Sequence, residues 1–250
     1  MNIVIPMVGM GKRFLDAGFI KPKPLIEISG KEIIRWSIES LKLDGKYIFV
    51  TRKYENEMFN FELENIIKDC VPNSSIFSID YLTQGAAESA LIAESLIDNE
   101  ESLIITNCDQ FLSWDSDRKD FLNFVEQNDV DGCVTTYNHV PKETITIGQK
   151  TPYSFIKIDE NNIATELSEK IAISKNMLNG IHFWKRGNDF VQSAKEMINK
   201  NIRYNNEFYV SLTYNELIKQ NKVIKHYHMS DGSFFSLGTP EDIKIFKDKI

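Results

Sequence analysis

Cysteine is scarce in this chain. Cys70, Cys108 and Cys133 are odd in number and widely spaced, with no C-x-x-C pair. That pattern argues against a disulfide framework or a zinc site and points to reduced thiols. Long apolar runs are also missing. Residues 2–6, Asn-Ile-Val-Ile-Pro, are too short for the apolar part of a secretion signal, and no segment approaches membrane-spanning length. The cytoplasm is therefore the expected compartment. Cations are outnumbered, 29 Lys and Arg against 36 Asp and Glu, for a formal charge of −7. Nucleic acid or an anionic membrane would need an extended basic face, so neither is an expected partner, whereas a phosphorylated metabolite could still bind locally. No motif supports a Ser–His–Asp or Cys–His nucleophile.

What is present suffices for a large core: 250 residues, 42% hydrophobic and 26% charged. In the first half, β-branched runs at Ile3–Ile5, Tyr47–Thr51, Ser75–Ile79, Leu103–Thr106 and Cys133–Tyr137 read as strands. Helical patterns at Ile33–Leu43, Glu55–Cys70, Ala86–Ile97 and Arg118–Gln127 alternate with them. Such alternation predicts an α/β fold, a wound and mostly parallel central sheet with helices on both faces. After Val140 the pattern changes. Ser154–Ile158 and Ile163–Leu167 flank a turn-rich Asp159-Glu-Asn-Asn162 and predict a hairpin. Met177–Trp184 and Val223–Met229 read as strands, and Asp189–Asn199, Glu207–Gln220 and Pro240–Lys249 as helices. With no linker or repeat, residues 1–250 are expected to form one domain, with a core over 1–140 and a small β-rich elaboration over 141–250.

Positive charge concentrates in one place. Lys12, Arg13, Lys21 and Lys23 share a twelve-residue stretch with a single acid, Asp16, just after Val8-Gly-Met-Gly11 and the first strand. Glycines there let backbone N–H groups approach phosphate without Cβ interference. The dinucleotide fingerprint fails, because its third glycine falls on Phe14. The P-loop fails as well, with Pro6 in place of its first glycine and Arg13 in place of Ser or Thr. The remaining G-x-G-x-R pattern gives Arg13 a fork for phosphate oxygens. Lys21 and Lys23 each precede a proline, which predicts extended geometry and both ammonium groups on one side. Leu103-Ile-Ile-Thr-Asn-Cys-Asp109 runs a strand into an acid at its carboxyl end, where wound sheets bind ligands. Asp109 is thus a candidate anchor for Mg²⁺ on a triphosphate. His226 and His228 share a strand face but lack a third ligand in sequence, so a plain strand face is expected.

In order along the chain, these pieces resemble the sugar-phosphate nucleotidylyltransferase family. Gly9-Met-Gly-Lys-Arg13 is similar to its triphosphate loop, Lys21-Pro-Lys-Pro-Leu-Ile-Glu27 to its K-P-x-x-P-I segment, and Gln84-Gly-Ala-Ala-Glu-Ser-Ala90 to its base-lining Q-G-(T/A)-A stretch. Asn107-Cys-Asp109 resembles its metal-binding G-D, Glu169-Lys170 its E-K-P, Asn179-Gly-Ile-His-Phe183 its G-I-Y-x-F, and Leu237-Gly-Thr-Pro-Glu-Asp242 its G-T-P-E-D. The resemblance implies a Rossmann-like, GT-A/nucleotidyltransferase-type fold and a Mg²⁺-dependent transfer of a nucleotide to a phosphorylated small molecule. It implies catalytic roles for Arg13, Lys23 and Lys170, and nucleotide contacts from Val8, Gly9, Met10, Gly11, Lys12, Gln84, Gly85, Ala86 and Ser89. Asp109 is the implied metal ligand, and Tyr137, Asn138, Glu169 and Gly180 the implied acceptor contacts. More narrowly, the chain resembles capsule-pathway cytidylyltransferases that join CTP to L-glutamine phosphate. The chain departs at Ser236, where the family has a second metal-binding Asp, with Asp231 a possible substitute. It departs again at Ile171 in place of proline and at Val8 before the loop. A sugar 1-phosphate acceptor, a GT-A-type glycosyltransferase and a catalytically silent nucleotide sensor stay open as alternatives, as does a homo-oligomer.

Overall fold

The computed structural model describes residues 1–249. Its centre is a seven-stranded sheet, ordered across as Ile224–His228, Gly132–Thr136, Leu178–Trp184, Leu103–Thr106, Asn2–Met7, Lys46–Arg52 and Ser75–Ile79. Leu178–Trp184 runs antiparallel to both its neighbours, and every other pairing is parallel. The sheet therefore takes strands from both sides of residue 140.

Successive side chains of a strand point to opposite faces, and here both faces are buried. Val4, Ile48, Val50, Ile105, Val134 and Trp184 join one core with Ala87, Ala90, Phe190, Ala194 and Leu217 of the helices on that side. Their neighbours Ile3, Ile5, Phe49, Ile104, Cys133 and Phe183 join a second core with Ile34, Ile38, Leu63, Ile67, Phe121 and Val125. Each fully buried Val, Ile or Phe contributes roughly 1.5–3 kcal/mol. This two-sided burial explains why the strands read as nearly continuous apolar runs.

The structure shifts several sequence boundaries. The helix expected over Ala86–Ile97 is two, Ala86–Leu91 and Glu94–Ile97. The one expected from Glu207 starts at Val210, because Phe208 is held in extended pairing by the Gln84 and Ala87 backbone. The hairpin is longer than expected, Lys150–Ile158 with Ala164–Ile171. A ribbon of Gln110–Leu112 with Phe234–Ser236 carries no sequence signal at all.

The first strand lies between Lys46–Arg52 and Leu103–Thr106, so the chain winds to one side and then crosses to the other. Ligands bind at such a switch point, beyond the carboxyl ends of the strands. Val4 and Ile105 are paired in register, so the loops after Met7 and Thr106 emerge side by side.

Candidate active site

The loop after the first strand turns through Gly11, whose φ is +65°. A Cβ on Gly11 would stand 3.0 Å from the Cβ of Lys23, so glycine is required twice, for conformation and for contact. Among the described residues, none accepts a hydrogen bond from the N–H groups of Met10, Gly11, Lys12 or Arg13. Four free donors thus converge on one loop, a backbone arrangement suited to an anion. Phe14 anchors the loop by packing with Ile26, Leu237, Ile243 and Phe246. Val8 is buried, while Gly9, Met10, Lys12 and Arg13 are exposed.

The two lysines part company. Lys21 pairs outward with Glu62 at 2.9 Å and Glu27 at 3.1 Å. Lys23 sits in a 3₁₀ turn, Lys23–Leu25, and its ammonium pairs with Asp109. The common side expected from the proline spacing is therefore wrong: the turn rotates Lys23 inward. Burial pushes the Lys23 pKa down, but the charge of Asp109 and the hydrogen bond to it outweigh burial and leave the pKa raised. Lys23 is thus a fixed cation beside the candidate metal ligand. Cys108, next to Asp109 in sequence, has its thiol pushed by burial to about 12, which disfavours the thiolate near neutral pH.

Asp109 and Arg13 open onto a cleft of about 720 Å³ that also meets Ala86, Tyr137, Asn138, Glu169, Lys170 and Gly180. Of the sequence-predicted residues, Arg13, Ala86, Asp109, Tyr137, Asn138, Glu169, Lys170 and Gly180 line this one cleft, whereas Val8, Gly9, Met10, Gly11, Lys12 and Lys23 do not. Gln84, Gly85 and Ser89 flank Ala86 in sequence but are not part of the cleft lining. Gly85 has φ +133°, and a Cβ there would fall 2.4 Å from the Phe208 carbonyl oxygen. Phe208 N–H donates to the Gln84 carbonyl at 2.6 Å, and Ala87 N–H to the Phe208 carbonyl at 3.0 Å. The Ser89 hydroxyl is spent internally, on Gly85 O at 3.1 Å and the Thr83 hydroxyl at 2.6 Å. It shapes the loop and is not aimed into the cleft.

On the far wall, Glu169 is 4% exposed. Its Oε1 accepts from the Ser154 hydroxyl at 2.7 Å and from the Ser211 hydroxyl, while Oε2 has no partner. Burial raises its pKa, with the two serines opposing. A buried, half-satisfied carboxylate in a cleft wall awaits a donor. Lys170 is a non-glycine residue at φ +61°, in a β-bulge between Glu169 and Ile171. That strained geometry places its ammonium over the Tyr209 ring and on the Pro152 carbonyl at 2.8 Å. Gly180, at φ +90°, lets Asn107 approach so closely that a Cβ would stand 2.0 Å from Asn107 Nδ2. The Tyr137 hydroxyl accepts from Gly232 N–H at 3.0 Å, and Asn138 donates to Asp231 at 3.3 Å.

Sequence reasoning missed His139, Tyr153, Ser154, Tyr209, Ser211 and Asp242 in the cleft wall. His139 stacks on Tyr153 with centroids 4.9 Å apart, and burial lowers its pKa. Only Asp242 had a signal, its place in the Gly238-Thr-Pro-Glu-Asp242 motif. His226 and His228 both meet the Thr136 hydroxyl at 3.0 Å, as strand neighbours.

Among the described residues, no three His, Cys, Asp or Glu side chains are grouped to cage a metal. A divalent ion here would lean on phosphate oxygens and water, the coordination Mg²⁺ favours. A Cβ on Gly238 would stand 3.3 Å from Asp109 Oδ2 and 3.2 Å from Ser236 Oγ, so glycine keeps open the space in front of the carboxylate. The residues present fit such an ion.

The chain is 27% identical over its whole length to the bifunctional protein GlmU of Methanocaldococcus jannaschii and spans 55% of that protein. The nucleoside-diphosphate-sugar pyrophosphorylase of Vibrio cholerae RC9 superposes with a TM-score of 0.79 at 22% identity, covering 98% of this chain and 99% of the other. A UDP-glucose pyrophosphorylase bound to UDP-glucose gives 0.74 at 18% identity, with coverage of 99% and 97%. The inositol-1-phosphate CTP transferase of T. maritima gives 0.71 at 12%, with coverage of 96% and 90%. No described helix is long and apolar enough to cross a membrane. The nucleotidyl transferase family model matches residues 3–242, and the chain belongs to that family.

Proposed function

We propose that this chain joins a nucleoside triphosphate to a phosphorylated small metabolite in a Mg²⁺-dependent reaction that releases pyrophosphate. One observation carries the reading: the free amides of the Gly9–Arg13 loop, the Lys23 ammonium and Asp109 meet at the sheet's switch point, across a cleft from Lys170. CTP as the nucleotide and L-glutamine phosphate as the acceptor follow from the narrower sequence resemblance, and capsular polysaccharide synthesis is the setting that pairing implies. A sugar 1-phosphate is the second reading, favoured because the UDP-glucose pyrophosphorylase neighbour holds a nucleotide sugar.

An acceptor phosphate is already anionic near neutral pH, so no protein base is required. It attacks the α-phosphate in line and pyrophosphate departs, with positioning and charge neutralisation supplying the catalysis. The Gly9–Arg13 amides and the Arg13 guanidinium hold the β- and γ-phosphates. Lys23 turns its ammonium to the α-phosphate as charge gathers there. Lys170 draws in the acceptor phosphate, and Glu169 with its two serines receives a donor group of the acceptor body. Gln84 and Gly85 face the base. Mg²⁺ on Asp109 would neutralise triphosphate charge. The test is a matrix of four NTPs against phosphorylated sugars, polyols and amino acids, scored by pyrophosphate. Release that needs both one NTP and one acceptor supports the proposal. Binding without release favours the silent sensor, and turnover of a nucleotide sugar favours the glycosyltransferase.

A further inference from the structure

Ser236 stands where the resemblance places a second metal-binding acid, and Asp231, the substitute suggested by sequence, is engaged by Asn138 on an exposed loop. We propose that Asp242 is the second carboxylate of the divalent-cation site. The inference rests on reading the cleft as a triphosphate and metal site. Three contacts define it. The Ser236 hydroxyl donates to Asp242 Oδ2 at 2.8 Å. A Cβ on Gly238 would stand 3.6 Å from that same oxygen and 3.3 Å from Asp109 Oδ2. Both carboxylate oxygens therefore border the space beside Gly238, which glycine leaves without a side chain; Asp109 Oδ2 also holds the Lys23 ammonium there. Leu237 N–H donates to the Asp109 carbonyl at 2.8 Å, and Ser236 pairs with Gln110 in the short ribbon. The spacing is thus set by backbone and not by flexible side chains.

The helix-capping use of Asp242 does not account for this geometry. Asp242 is the third residue of the helix Pro240–Lys247, and its N–H donates to the Thr239 hydroxyl at 3.1 Å. In a capping box the acid at this position reaches back to the cap residue's own N–H. Here the carboxylate turns to Ser236, its only hydrogen-bond partner among the described residues, and it lines the cleft. Two carboxylates, phosphate oxygens and water make an ordinary Mg²⁺ set. The serine at 236 becomes a positioning residue, and the charge it lacks comes from the next helix.

The test is retention of Mn²⁺ by the full chain with each NTP, read by electron paramagnetic resonance. Asp242→Asn should weaken Mn²⁺ affinity about tenfold or more, the scale seen when groups that set a metal site are lost. Asp109→Asn should abolish retention, Glu241→Gln should leave it unchanged, and Ser236→Asp added to Asp242→Asn should restore it. If Asp242→Asn binds normally while Asp109→Asn does not, the inference falls and the site reading stands. If the unmodified chain retains no Mn²⁺, or Asp109→Asn retains it fully, both fall. A second measurement needs no variant to fold: Mn²⁺ should broaden the carboxylate carbon resonances of both Asp109 and Asp242 in the unmodified protein. Broadening of Asp109 alone overturns the proposal.

Discussion

Lys23→Met removes the ammonium from the candidate site and keeps a stem of similar length against Phe14, whose ring centre lies 5.7 Å from the ammonium. The Lys23 and Asp109 side chains are 17% and 24% exposed. Breaking a fully buried ion pair costs about 3–5 kcal/mol, because the remaining charge is stranded. Asp109 borders a cleft where water can replace the ammonium, so about 1–3 kcal/mol is expected, a fall of roughly 2–12 °C in Tm. Turnover should fall about a hundredfold or more, the scale of losing one charged transition-state contact. Divalent binding should move the other way: with no ammonium competing for Asp109, the nucleotide-free variant should bind Mn²⁺ more tightly than the unmodified chain. The pH dependence has a definite sign. The Lys23 pKa is raised from its ordinary 10.5, so the pair's stabilisation is complete below 10.5 and is lost as pH rises through the higher folded-state value. The Tm gap between variant and unmodified protein should hold constant near neutrality and close in strong alkali. Near-normal turnover together with unchanged Mn²⁺ binding would refute the assignment.

Gly85→Ala would drive a Cβ to 2.4 Å from the Phe208 carbonyl oxygen at a backbone conformation suited to glycine; NTP affinity should drop sharply in calorimetry while far-ultraviolet circular dichroism stays native. Gly238→Ala has no such conformational conflict, yet its methyl would occupy the space before Asp109 and Asp242; a steep rise in the Mg²⁺ concentration needed for half-maximal turnover is expected, and an unchanged requirement would contradict the metal assignment. Glu169→Gln removes a buried carboxylate whose folded-state pKa is raised. Stability held by the protonated acid is lost as pH climbs through that pKa, so the glutamine variant should have the higher Tm at neutral pH, the advantage shrinking in acid. Its acceptor KM should rise more than its NTP KM.

The sheet was legible because two-sided burial writes β-branched runs that helical patterns interrupt, as at Ile3–Ile5 and Leu103–Thr106. The glycine turn after the first strand was legible for a local reason, since its left-handed conformation at Gly11 is written in that residue itself. What escaped depends on contacts distant in sequence. Phe208 meets Gly85 only through tertiary pairing, and Ser211 reaches Glu169 from 42 residues away. The ribbon of Gln110–Leu112 with Phe234–Ser236 is three residues a side, too short for a period of two to emerge. Lys21 and Lys23 looked equivalent because both precede proline; a 3₁₀ turn and the charge of Asp109 separated them. Asp242 was hidden inside a motif that also explains it as a helix start.

The central claim is that the triphosphate is cut between its α- and β-phosphates by an attacking acceptor phosphate. Incubating the chain with Mg²⁺, the productive acceptor and an NTP labelled at either the α- or the γ-phosphate follows both fragments. The account predicts α-label in the acceptor product and γ-label in pyrophosphate, in equal amounts, with both lost in Asp109→Asn. Release of γ-label as inorganic phosphate, or α-label that stays in free nucleotide, would contradict it.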